Sequence, residues 1–278
     1  MSRPKLTGSG LPIIGSIVWS LAAGQVHANE PPAQAMSDAE YQRIVEQLRG
    51  LIPRSIVGPS TYGIPSGFGL GRGQGYASGS ITNHRTEDAE AASEEFDGSY
   101  AFGVGLSDPN DTVGLDVNLG ILSSTPGDQT EAGNWGLKAH KQGQNPYGLF
   151  GLSIGANNVA PWGDPEAIKT SYYVAVSQIT QQTYTTLVKP DIMISAGLSD
   201  GARNGGRSPG AYLGIGAKYT GTSSVSVGWS GDEIVTGVSF QPLLTVPAVV
   251  SAGVADVANQ NDDRRVLLSV TYALSELF

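Results

Sequence analysis

No cysteine occurs among the 278 residues, so a disulfide scaffold and thiolate metal sites are excluded, while any redox compartment remains open. Charged residues make up only 15%, too few for a disordered acidic chain or a solvated helical bundle. Beyond residue 52 no run of 18 apolar residues occurs, which excludes a helical membrane protein. Histidine is scarce as well, with three in the whole chain. What the chain has in excess is glycine, 38 residues of it.

Residues 1–28 have the layout of a secretory signal. Arg3 and Lys5 form a basic start, residues 11–23 an apolar stretch, and Val26-His27-Ala28 a small-x-small site, so cleavage is expected before Asn29. All 25 acids follow residue 28 while two of the 16 basic residues precede it, leaving 14 basic residues against 25 acidic ones and a net charge of −11. Such a chain is not expected to bind nucleic acid electrostatically.

Residues 29–66 read as a linker containing one amphipathic helix at residues 37–51. Ser37 and Glu40 form a capping box, Tyr41, Ile44, Val45, Leu48 and Leu51 fall at helical spacing, and Gly50 and Pro53 end the helix. It is expected either to rest against the end of the main domain or to enter its interior.

From residue 67 to the C-terminus the period is two. The clearest case is residues 113–121, VGLDVNLGI, where Val113, Leu115, Val117, Leu119 and Ile121 alternate without exception with Gly114, Asp116, Asn118 and Gly120. The same rule predicts twelve strands, near residues 67–82, 99–106, 113–121, 134–141, 148–156, 170–179, 191–199, 211–219, 225–230, 234–240, 246–254 and 265–274. The first carries Gly67, Gly69, Gly71, Gly73 and Gly75 at every second position. A nucleotide-binding glycine loop needs a strand before it and a helix after it, and neither is present. Five glycines on one strand face instead mark the close approach of another backbone, for which the helix at residues 37–51 is the candidate.

Many antiparallel strands with one apolar face can form a soluble sandwich with that face inside, or a transmembrane barrel with it outside. Three features favour the barrel. Strands of about nine residues, at roughly 3.3 Å each and a tilt near 40°, span about 23 Å, close to the apolar band of an outer-membrane barrel. Connections alternate in length, the odd ones mostly long and the even ones mostly short; the ninth, at residues 231–233, is an exception. The faces opposite the apolar ones carry Gly, Ser and Asn with few charges, unlike the Lys- and Glu-rich exposed face of a soluble sandwich. Trp135, Tyr147, Trp162, Tyr172, Tyr184, Tyr219 and Trp229 fall at or near strand ends, where aromatic girdles would lie.

The chain ends in Phe278 after an alternating run at Val270, Tyr272 and Leu274. This resembles the C-terminal signature of bacterial outer-membrane β-barrel proteins, the candidate signal read by their assembly machinery; Glu276 departs from it, since an apolar residue is expected there. The resemblance is to that general class, not to one family within it. It implies an all-β, closed, antiparallel up-and-down barrel of about twelve strands at residues 67–278, secreted to the outer membrane of a Gram-negative-type envelope. Its partners would be outer-membrane lipids, the assembly machinery and small hydrophilic solutes. Asp116, Asn118, Lys138, His140 and Lys218 are the candidate lumen-facing residues, and passive porin-like passage of solutes is the expected function. The rival is a closed barrel with a structural, adhesive or surface-binding role; a secreted soluble β protein is a further alternative.

Neither a cofactor nor enzymatic activity is expected. His84 and His140, the two histidines beyond the signal, lack the His-x-Ser arrangement that likeness to an outer-membrane phospholipase would require. The acids between Glu87 and Asp97 could gather a divalent cation, but they lack EF-hand spacing and read as a solvated loop. Asp262, Asp263, Arg264 and Arg265 read as solvated charges at a strand start, and Asp164 as loop structure.

Overall fold

The computed structural model describes residues 55–83, 96–121, 132–163, 169–180, 191–203, 208–261 and 264–278. All lie in one compact unit, Pro53–Phe278. The signal, the helix expected at residues 37–51, Tyr184, His84, Asp164, Asp262, Asp263 and most of the acidic cluster fall outside the described residues.

Twelve strands form a closed barrel: β1 (Gly75–Asn83), β2 (Phe96–Gly105), β3 (Gly114–Ile121), β4 (Gly133–Asn145), β5 (Gly148–Trp162), β6 (Ser171–Thr180), β7 (Ile192–Arg203), β8 (Ser208–Lys218), β9 (Ser223–Trp229), β10 (Ile234–Phe240), β11 (Ala248–Ala255) and β12 (Arg265–Leu274). Each strand pairs antiparallel with its sequence neighbours, and β1 pairs with β12, so the sheet has no edge. The twelve expected strands are those observed. Their limits differ most at β1, which starts eight residues later than expected, and at β4 and β5, which run past the expected ends. Register shifts at Trp135 mark an irregularity between them.

The chain is inverted relative to a soluble protein. Val176 is 52% exposed on the outer surface while its neighbour Ser177 is 1% exposed, and the same alternation places Leu115, Leu152, Ile154, Leu198, Leu213 and Val270 outside. Tyr147, Tyr172 and Tyr219 project from the outer wall near its two rims. Lys141 bends its ammonium to the Asn110 and Thr112 carbonyls in the β2–β3 turn, so its charge leaves the apolar wall for the rim.

Two expectations are corrected. The ladder starts at Gly75, not near Gly67, and the alternating glycines from Gly67 to Gly73 precede the wall instead of forming part of it. Arg265, expected as a solvated charge, is mostly buried in an ion pair with Glu233, because it starts β12 opposite Ala255 at the end of β11 and reaches across that strand to the short β9–β10 connection. At the other end β12 stops at Leu274, and Leu277 N–H donates to the Gly73 carbonyl, which ties the C-terminal residues to the chain entering β1.

Candidate functional site: the filled lumen

Residues 55–74 form an excursion into the barrel. At one end Ile56 N–H donates to Oε1 of Gln241, just past the end of β10; at the other, Gly73 N–H donates to the Gly105 carbonyl, at the end of β2. Even-numbered strands run in the same direction, so both ends of the excursion lie at one rim. Between them the chain reaches Val235, the second residue of β10, and so extends well toward the opposite rim.

Two turns shape this path. Ile64 N–H donates to the Thr61 carbonyl around Gly63 (φ 72°), and Gln74 N–H to the Gly71 carbonyl around Gly73 (φ 73°). A glycine with positive φ at the third position is what a type II turn requires. The first turn carries the segment through the interior, and the second delivers it to β1.

The inner wall admits the segment because its facing residues are small. A Cβ on Gly67 would overlap the Gly151 carbonyl of β5, and one on Gly216 of β8 would overlap the Ser60 carbonyl. Tyr62 lies over Gly237 and Gly253, and Ile64 over Gly214 and Gly228. Gly151, Ser177, Ser195, Gly214 and Gly228 are consecutive cross-strand partners from β5 to β9, so this floor is one row of the barrel. The glycine alternation thus does mark a close approach of backbones. The approaching backbone is the glycine segment itself, against the glycines of the wall.

Neutral hydrogen bonds fasten the segment along its length. Gly67 N–H donates to Ser177 Oγ at 2.8 Å, Ser153 Oγ–H to the Ser66 carbonyl at 3.0 Å, Thr61 hydroxyl to Ser195 Oγ at 3.2 Å, and Tyr62 N–H to Ser226 Oγ at 3.1 Å. Inside the barrel Ile64, Ala175 and Tyr212 make a small apolar cluster with Tyr173 against it. Burying the hydroxyls of Ser153, Ser177 and Ser195 costs little because each has a partner.

Three of the expected lumen residues converge on one point of the segment. Asp116 on β3 is 5% exposed and His140 on β4 is 2% exposed; His140 Nε2 lies 3.1 Å from Asp116 Oδ1. Leu70 N–H points at both oxygens of that carboxylate, each at 3.3 Å, and the Lys138 ammonium donates to the Phe68 carbonyl. Between those two residues sits Gly69, where a Cβ would collide with Asp116 and the His140 ring. A buried carboxylate needs such donors, since unpaired it would be strongly destabilising. His140 Nδ1 has no partner among the described residues. Asn118 stands apart, accepting a hydrogen bond from Tyr76 hydroxyl at 3.0 Å, and Lys218 is distant from the cluster at the end of β8.

Sequence reasoning missed residues 55–66. Their only local signals are prolines, Gly58 and Gly63, which read equally well as a connector.

A closed twelve-stranded barrel with an apolar exterior and a filled polar interior is the class of protein these features define. Solved structures with a similar fold are outer-membrane β-barrel proteins. They include the Acinetobacter baumannii outer membrane protein Omp33 (11% identity over 72% of this chain and 97% of that one, TM-score 0.44). A second is the Salmonella typhi outer membrane phospholipase dimer with bound calcium (9% identity over 83% and 97%, TM-score 0.44). A third is a mutant of the Rh. blastica porin (8% identity over 72% and 99%, TM-score 0.31). The likeness reaches no further than barrel architecture. No family model and no curated protein matches the chain.

The position of residues 55–74 can be tested directly because the chain has no cysteine of its own. Cysteines introduced together at Thr61 and Ser195, whose hydroxyls are in contact, should cross-link on oxidation or with a short bifunctional reagent, whereas Thr61 paired with Ser80 should not. Equal yields for the two pairs would show that the segment does not occupy this place.

Proposed function

We propose that this chain is an outer-membrane β-barrel protein of a Gram-negative-type envelope, closed in its resting state, with a structural or surface-binding role. The observation that carries the reading is the course of residues 55–74 across the lumen, half-buried along most of its length, from Tyr62 against β10 and β11 to Gly71 against β2. An open diffusion pore would need that space filled with water. Porin-like passage of small hydrophilic solutes remains as a second reading, favoured by the serine-rich wall and by the exit of both ends of the segment at one rim. It requires withdrawal of residues 55–74.

The apolar outer wall supports membrane residence. The closed ladder leaves no strand edge with unpaired backbone groups, as the hydrocarbon core demands. In this reading the signal at residues 1–28 directs secretion, the wall meets outer-membrane lipids, and Val270, Tyr272, Leu274 and Phe278 serve as the assembly signal. Of these four, Phe278 lies beyond the last ladder pair.

Val176→Arg, on the outer face midway along β6, should cost about 2–4 kcal/mol of folding free energy in bilayers, measured by urea titration. Ser80→Arg, on the inner face, should cost far less; equal losses would contradict an apolar environment outside.

Conductance in planar bilayers tests closure. The refolded mature chain should show no steady conductance. Removing residues 55–72, or combining Asp116→Ala with Gly67→Val to unseat the segment, should produce a stepwise ohmic one. A steady open channel from the intact chain would overturn the closed reading in favour of a porin.

A further inference from the structure

Beside the segment, near the rim where it enters and leaves, lies a cavity of about 380 Å³ that none of the contacts described above fills. That volume falls within the range of small-ligand sites. Its lining divides by chemistry. Phe68 from the segment, Leu149 from β5 and Ile179 from β6 supply apolar surface, while Asn110 from the β2–β3 turn and Gln142 and Gln144 from β4 supply carboxamides. None of the lining residues is charged.

The amides are partly committed and partly free. Gln142 Nε2 donates to Asn110 Oδ1 at 3.3 Å, and Asn110 Nδ2 to Asp108 Oδ1 at 3.0 Å, so these two are held in place. The Gln142 carbonyl oxygen and the whole Gln144 amide have no partner among the described residues. Leu149 and Ile179 need explaining on an inner wall otherwise rich in Gly and Ser. They are cross-strand partners in the row that contains Gln144, and so present an apolar surface directly beside an exposed amide that no group of the described residues occupies.

We infer that this cavity is a binding site for a neutral mono- or disaccharide. A pyranose presents C–H groups on its faces and hydroxyls around its edge. The faces match Phe68, Leu149 and Ile179, and the hydroxyls, each both donor and acceptor, match carboxamides that offer both functions. No lining residue offers a charged ligand a counter-ion, and the charges next to Asn110, those of Lys141 and Asp108, are engaged by the β2–β3 turn; a purely apolar ligand would leave the amides desolvated and unpaired. Phe68 is adjacent to Gly69, which is seated on Asp116 and His140, so an occupant touches the segment that closes the lumen. The inference rests on that segment being in place and not on whether the barrel ever conducts.

The test is binding of maltose and methyl β-glucoside to the refolded chain in detergent, followed by saturation-transfer NMR, with diglycine and glucuronate as comparisons. Saturable binding of the neutral sugars is expected, weakened about threefold to tenfold by Gln144→Leu and again by Phe68→Ala, and unchanged by Ser80→Ala. Because Gln144→Leu lies on the wall, it leaves the segment seated, as the Thr61–Ser195 cross-link in the same background should report. No sugar binding in a preparation that gives the cross-link overturns the site while leaving the closed lumen intact. So does diglycine or glucuronate binding as well as sugar, or sugar binding indifferent to both pocket substitutions. Loss of the cross-link as well would condemn the closed reading too.

Discussion

Closure of the β1–β12 ladder creates the constraint on which the rest depends: twelve strands without an edge enclose a space too wide for the wall's own side chains to fill. Small barrels fill their interiors with side chains, and large ones admit water or a plug. This chain takes the plug, and the composition of its inner wall follows. Large inward side chains would have narrowed the lumen without packing it. Glycine and serine leave room for a second backbone and, in the serines, provide hydroxyls to bond it.

The interior can therefore be regarded as a backbone-to-wall interface, held mainly by neutral groups. Asp116, His140 and Lys138 are the exception, and they meet the segment at one place, Phe68 to Leu70. Elsewhere a slipped segment could find another serine; here a shift of one residue would move the Leu70 N–H from the carboxylate and press a larger residue than Gly69 against the His140 ring. The charged contact sets the register of the segment, while the neutral ones set its path.

Much of the barrel was legible because alternation is a strong signal when one face must be apolar: residues 113–121 or 265–274 admit hardly any other reading. The same signal failed at Gly67 to Gly73. Period-two glycine has no apolar face to orient it, so it describes an extended chain equally well as a wall strand or as a segment lying against one. The close approach was foreseen from the missing side chains, but its partner was not. Which of Asp116, Asn118, Lys138, His140 and Lys218 would meet was also beyond the sequence, because it depends on where an aperiodic stretch rich in proline, residues 55–66, comes to rest.

Since both ends of residues 55–74 leave by the same rim, removing the segment requires no threading through the barrel and no broken pair in the wall ladder. The strand hydrogen bonds form one cooperative unit, whereas the segment is held by side chains and by the backbone links of Gly73 and Gln74 to Gly105 and of Gly73 to Leu277. Local opening with a lower free energy than global unfolding is therefore built into this topology. The wall would lose its filling and remain a barrel, whereas the segment without the wall has too little apolar surface of its own to hold a shape. That asymmetry makes residues 55–74, and not any strand, the part through which a ligand at Phe68 could act on the interior.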